Sequence, residues 1–155
     1  MGQEQPTDWA DLARGIIDEA DYMTLATADG DGKPWASPVW FAPAGYREFL
    51  WISRPETRHS CNLADRREVG IVVFDSRSPI GTGKGTYIEG VAEAVPEGEL
   101  ERCVGIFAQR SRERSGPGLA VEDVTGSAPL RMYRALATSH SITGDTDQRV
   151  PVDLA

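Results

Sequence analysis

A chain of 155 residues suits one domain with a single hydrophobic core, and a net charge of −8 disfavours a nucleic-acid backbone as partner. Its two cysteines, Cys61 and Cys103, lack the spacing of a zinc site or a secreted disulfide framework, so both read as small buried hydrophobes in a reducing compartment. No run approaches about 18 apolar residues, and the opening MGQEQPTDWADLARG has no apolar leader core, which points to a cytoplasmic protein without a membrane partner.

In chain order, the first periodic segment is a helix over residues 8–20. Trp9, Leu12, Ala13, Ile16, Ile17 and Ala20 recur at helical spacing, with Thr7 or Asp8 as N-cap. The stretch MTLATADGDGKPWASPVWFAPAGYREFLWIS holds β-rich runs around the turns Asp29-Gly30-Asp31-Gly32 and Pro43-Ala44-Gly45, which predicts three antiparallel strands in a meander. On its second strand Trp35, Val39 and Phe41 share one parity and Trp40 takes the other. One face should fill a core, and the other needs a cover.

PETRHSCNLADRR changes character, predicting a short helix from Thr57 to Asp65, before VGIVVFD resumes as a strand. SPIGTGKGTYIEG then sets a lysine among glycines, as a nucleotide-binding loop would. Such a loop needs G-x-x-x-x-G-K-S/T followed by a helix. Here Ser78 stands at the first glycine, Gly85 follows Lys84, and the β-formers of TYIEGVAEAV come next. The stretch is therefore read as a flexible entry into a strand.

Glu97 to Arg112 reads as a second long helix with Leu100, Cys103, Val104 and Phe107 on one face. Arg110, Arg112 and Arg114 are most simply its own helix-end electrostatics, with an anionic substrate site as the alternative. After a loop at Ser115-Gly116-Pro117-Gly118, LRMYRALATSHSIT gives one or two closing strands, and the tail GDTDQRVPVDLA is polar, then apolar. The whole predicts one domain, 1–155: a small antiparallel barrel over 22–143 flanked by helices, with a tail over 144–155.

No hydrolase motif is present, no metal-ligand set stands out, and catalytic residues cannot be assigned from spacing. His59 and His140 each read, alone, as structural or solvated. The most chemically pointed stretch is SRPETRHSCNL, where a strand ending at Ser53 gives way to a helix beginning near Thr57-Arg58-His59. That start aims backbone N–H groups, a hydroxyl, a guanidinium and an imidazole at one point, which suits a phosphate. A capped helix with an exposed arginine is the alternative.

The order of TLAT, GKPWASPVWF, LWIS, TRHSCNL, VGIVVF and YIEGVAEAV resembles the FMN-binding split-barrel family of pyridoxamine 5'-phosphate oxidase, strongest from about Tyr22 to Val95. The resemblance implies a mainly β fold with flanking helices, a six-stranded antiparallel split β-barrel. It implies an FMN-dependent oxidoreductase with a small-molecule substrate, working as a homodimer with flavin sites at the interface. Thr57 and Arg58 would bind the FMN phosphate, with His59 at the usual lysine position and Asn62 in the same turn. Ser37, Pro38, Val39, Trp40 and Phe41, with Ile52 and Ser53, would line the ring and ribityl chain, and Lys84, Gly85 and Thr86 would enter a strand beside the flavin. Ser37 and Ala42 stand where enzymes that oxidise pyridoxamine phosphate carry arginine and lysine, and LRMYRA lacks their arginine-x-histidine-type segment. The expected substrate is therefore not pyridoxamine phosphate. The same barrel also accommodates a deazaflavin reductase and a non-catalytic flavin- or haem-binding protein, with His140 as a conceivable haem ligand.

Overall fold

The computed structural model describes residues 7–155, so the part of the leader and single-domain readings that concerns residues 1–6 lies outside the described residues. Helix α1 spans Trp9–Glu19, and the Asp8 carboxylate caps it by accepting from the Asp11 N–H at 3.1 Å. Ala13 and Ile17 are fully buried, with Trp9, Ile16 and Ala20 packed beside them. Leu12, expected on the same face, is exposed at the edge of the stripe.

Eight strands follow: β1 Tyr22–Ala28, β2 Pro34–Trp40, β3 Ala42–Ala44, β4 Glu48–Ser53, β5 Glu68–Phe74, β6 Gly85–Ala94, β7 Arg131–Thr143 and β8 Arg149–Pro151. Helix α2, Arg58–Asp65, separates β4 from β5, and α3, Glu97–Glu113, separates β6 from β7. All pairings are antiparallel, in the order β2-β1-β5-β6-β7-β4-β3, with β8 also on β7. The fold is mainly β, a curled antiparallel split barrel with flanking helices.

The expected meander is corrected at one residue. Phe41 parts β2, which pairs with β1, from β3, which pairs with β4. The two ends of the strand order are thus one residue apart in the chain, and a bend there curls the sheet. The count of six becomes eight because the second strand divides at Phe41 and the tail contributes β8. The β3–β4 turn needs left-handed backbone at Gly45 (φ 58°) and also at Tyr46 (φ 57°), the mirror-image turn that suits strand twist. A bulge between Glu89 and Gly90 adds curl, and a Cβ at Gly90 would lie 2.8 Å from the Leu136 carbonyl oxygen, so only glycine fits.

Strand β4 is apolar on both faces because two cores meet on it. Phe49 and Trp51 point into the barrel with Leu25, Phe41 and Ile88, while Leu50 faces α3 with Cys103, Val104, Phe107 and Met132. Trp40 lies on this second side, edge-on to Phe107 with centroids 4.9 Å apart. The cover its parity required comes from α3 of the same chain.

The arginine run does stand at the end of α3, with Arg110 and Arg112 in its last turn, and it serves a second helix as well. Helix α1 has no basic residue in its last turn. Arg110 instead donates to the carbonyls of Ile17, Asp18 and Ala20, the last at 2.7 Å, and Arg114 donates to those of Asp18 and Glu19 and pairs with Asp21 at 2.6 Å. Arg110 of α3 and Arg114, its C-cap, satisfy the orphan carbonyls at the C-terminus of α1. The reading of both cysteines as buried holds for Cys103 only; Cys61 is exposed on the outer side of α2.

Candidate functional site

Strand β4 delivers Ile52 and Ser53 to the mouth of a cavity of about 430 Å³, and the adjacent β2 brings Pro38, Val39 and Trp40 to it. The first turn of α2 adds His59, and the last turns of α3 close the far wall with Phe107, Ser111 and Arg114. Six of the expected residues therefore meet at one hollow. Its walls are chiefly apolar, with few polar groups, the usual make-up of a small-molecule site. The α3 contribution had no signal in the sequence beyond the apolar face of that helix, since only the docking angle turns Ser111 and Arg114 toward the hollow.

The Thr57-Arg58-His59 turn divides into two environments. His59 is buried, with Nε2 at 2.8 Å from Ser53 Oγ and 3.2 Å from Thr57 Oγ1. Thr57 Oγ1 donates to the Arg54 carbonyl at 3.0 Å and lies 2.8 Å from Ser60 Oγ. Arg58 turns outward and lays its guanidinium over the Trp35 ring, with Cζ 4.3 Å from the centroid. The expectation that imidazole and guanidinium converge is thus not met: burial draws the imidazole toward Ser53, and helical geometry sends the next side chain away. Thr57, the N-cap, accepts no side-chain cap bond from a backbone N–H of α2, so the N–H groups of that first turn stay open to a ligand.

Burial holds the His59 imidazole below its ordinary protonation range. Above about pH 6.5 both folded and unfolded chains carry it neutral. As pH falls through that value the unfolded chain takes the proton first, so stability drops until the folded-state value is passed. We expect Tm to decline from pH 7 to pH 5, and His59→Gln to flatten that part of the profile. An identical slope in the variant would assign the acid sensitivity to other groups.

The remaining expected residues lie elsewhere. Ser37 is half-buried on β2 opposite Leu25, and Phe41 is fully buried in the barrel core. Asn62 Nδ2 donates to Thr27 Oγ1 at 3.0 Å, tying α2 to β1. Lys84 pairs with Asp145 at 3.2 Å and sits 5.1 Å from the Trp9 ring, while the Gly85 N–H donates to Thr143 Oγ1. Thr86 is buried opposite Ile142, and its hydroxyl has no hydrogen-bond partner among the described residues. Ser53 pairs with Arg131 at the other end of the thirteen-residue β7, so within one chain Lys84, Gly85 and Thr86 are remote from the hollow. The glycine-rich loop leads into β6 with no helix after Lys84. His140 donates from Nε2 to the Tyr46 carbonyl at 2.7 Å and pins the β3–β4 turn to β7.

A second hollow of about 650 Å³ lies on the outer face of β1, β5, β6 and β7, where Thr24, Ala26, Val72, Tyr87 and Pro151 face outward. Among the described residues no helix is long and apolar enough to cross a membrane, and no group of three His, Cys, Asp or Glu is placed to hold a metal.

A curled antiparallel split barrel with flanking helices, carrying a polar helix start beside an apolar hollow, defines the fold class of this chain. The sequence model described as pyridoxamine 5'-phosphate oxidase matches residues 10–131, and the chain belongs to that family. Among solved structures it is similar to a haem-binding protein from Mycobacterium smegmatis (TM-score 0.75, 19% identity, 98% of this chain and 60% of that one). It is also similar to a putative 5-nitroimidazole antibiotic resistance protein from Bacteroides thetaiotaomicron (TM-score 0.70, 14% identity, covering 88% and 84%). A third is an F420 reductase (TM-score 0.62, 18% identity, covering 88% and 98%). The chain spans only 60% of the length of the haem-binding protein, and at these identities the likeness is one of fold. No curated protein matches it.

Proposed function

We propose that the chain is a homodimeric FMN-dependent oxidoreductase acting on a small organic molecule other than pyridoxamine phosphate. The observation that carries this reading is the start of α2, where Arg58 has no ion-pair partner among the described residues and the first-turn N–H groups are uncapped beside an apolar hollow. Such a start suits a phosphate, and the hollow suits the edge of a planar ring. When bound, FMN supplies hydride or electron transfer. Arg58 and the α2 N–H groups would hold its phosphate; Trp40, Ile52 and Pro38 would exclude water; and Ser53, fixed by His59, would present a hydroxyl to the ring or ribityl chain. Lys84, Gly85 and Thr86 reach a flavin only from the second subunit of a dimer. The outer hollow at Ala26 and Val72 is the apolar face suited to that subunit.

A deazaflavin in the same groove is the rival reading, supported by the likeness to the F420 reductase. Haem binding draws support from the similar haem-binding protein, but His140 would first have to release the Tyr46 carbonyl. The absorption spectrum of the purified protein, before and after each cofactor is added, separates the three. A flavin spectrum on purification, or tight uptake of FMN, is expected. Uptake of deazaflavin alone, or a Soret band, would replace the proposal with the corresponding rival.

A further inference from the structure

The position of Arg58 follows from a two-rung contact between α2 and the β1–β2 hairpin. Arg58 and Asn62 are four residues apart, so they share one face of α2. Trp35 and Thr27 are directly opposite in the β1–β2 ladder, so their side chains leave the same face of the sheet. The buried bond from Asn62 Nδ2 to Thr27 Oγ1 fixes the rotation of α2 over the hairpin. With that rung in place, the residue one turn nearer the helix N-terminus on the same face, Arg58, falls on the next side chain across, Trp35, at 4.3 Å.

A guanidinium lying on an indole keeps its N–H donors free, because they radiate in its own plane while the ring holds its face. A carboxylate partner would take two of those donors and oppose an incoming anion. Trp35 therefore restricts a long, rotamer-rich side chain without using the groups that bind, so part of the ordering cost is met before any ligand arrives. The indole is 42% exposed, more than a residue serving only core packing would be.

We infer that Trp35 is a positioning residue that pre-orders Arg58 for a phosphomonoester dianion. This rests on the proposed role of Arg58 at the FMN phosphate, and it gives Trp35 a part in choosing phosphorylated over unphosphorylated flavin.

The test is a titration of FMN and of riboflavin into apoprotein carrying Trp35→Leu or Trp35→Phe, each with Arg58 intact and with Arg58→Ala. Trp35→Leu is expected to weaken FMN by roughly two- to fivefold, the worth of an exposed cation–π contact. It should leave riboflavin unchanged and have no further effect once Arg58 is alanine, and Trp35→Phe should fall between. An equal loss for both flavins, or the same loss without Arg58, would show that the indole touches the ring system or merely supports the fold. If Arg58→Ala weakens FMN but Trp35→Leu does not, the phosphate site stands and this inference falls. If Arg58→Ala leaves FMN unchanged, both fall.

Discussion

Arg58→Ala is expected to weaken FMN by about ten- to a hundredfold and to leave riboflavin where it was. The expectation follows from the worth of a charge-assisted hydrogen bond, about 1.5–3 kcal/mol, set against about 1.4 kcal/mol per decade of affinity. It sits at the upper end of effects for an exposed arginine because, among the described residues, Arg58 has no ion-pair partner, Asp29 acting on it only at longer range, and on the proposed reading the uncapped N–H groups of α2 would address the same anion. The side chain is on the surface of a short helix, so its removal costs the fold little. Isothermal titration or fluorescence quenching against both flavins reads the difference directly. Equal FMN affinity in the two proteins would remove the phosphate from this turn.

If the chain pairs as proposed, Ala26→Glu is expected to split the two subunits and, with that, to lower flavin content. Ala26 is exposed on β1 and borders the outer hollow together with Val72 and Tyr87, a face left open among the described residues. A twofold interface seated there would bury on the order of 2,000 Å² in total. An unpaired carboxylate introduced into it costs about 3–5 kcal/mol, enough to raise the dimer dissociation constant by at least about a hundredfold. Trp40 would be the wrong residue to change, since it packs against Phe107 of its own chain and its loss would disturb the fold. Sedimentation at micromolar concentration, with flavin absorbance followed in the same cell, reads both outcomes. A dimer unaffected by the charge would move the interface elsewhere, and a monomer with full flavin content would show that each site is complete within one chain.

Much of this architecture was legible in the sequence because short-range periodicity dictated it. The stripe from Trp9 to Ala20, the β-rich runs of β1 and β5, and the charge order of α3 each reflect one element meeting one core. Legibility failed wherever two elements share a decision. Phe41 looks like any inward strand residue, and only the pairing of β3 with β4 reveals it as a corner. Arg110 and Arg114 fit their own helix end on charge alone, yet the carbonyls they meet are about ninety residues back in the chain. At the site, the Thr57-Arg58-His59 triplet was legible as a polar helix start. The inward turn of His59 was not, because it depends on Ser53 standing at the end of a neighbouring strand. Trp35 shares the parity of Val39 and Phe41, and only the placement of α2 over the hairpin brings Arg58 onto its ring.

The corner at Phe41 also bears on how the molecule assembles. Because β2 and β3 lie at opposite ends of the strand order, a single backbone linkage acts as a clasp on the curled sheet. The local hairpins, β1 with β2 and β5 with β6, can form early, whereas the clasp tightens only when β4 has found β7, with Glu48 opposite Leu136 and Phe49 opposite Ala135. That pairing spans more than half the chain, so its loop-closure entropy comes before its reward, and folding belongs in the slow, millisecond-to-second regime of high contact order. Opening the backbone beside Phe41, as a circular permutation would, leaves every side chain in place but turns a clasped sheet into one with two loose margins. The permutant would then be prone to pair with its neighbours through those margins before its own barrel closes.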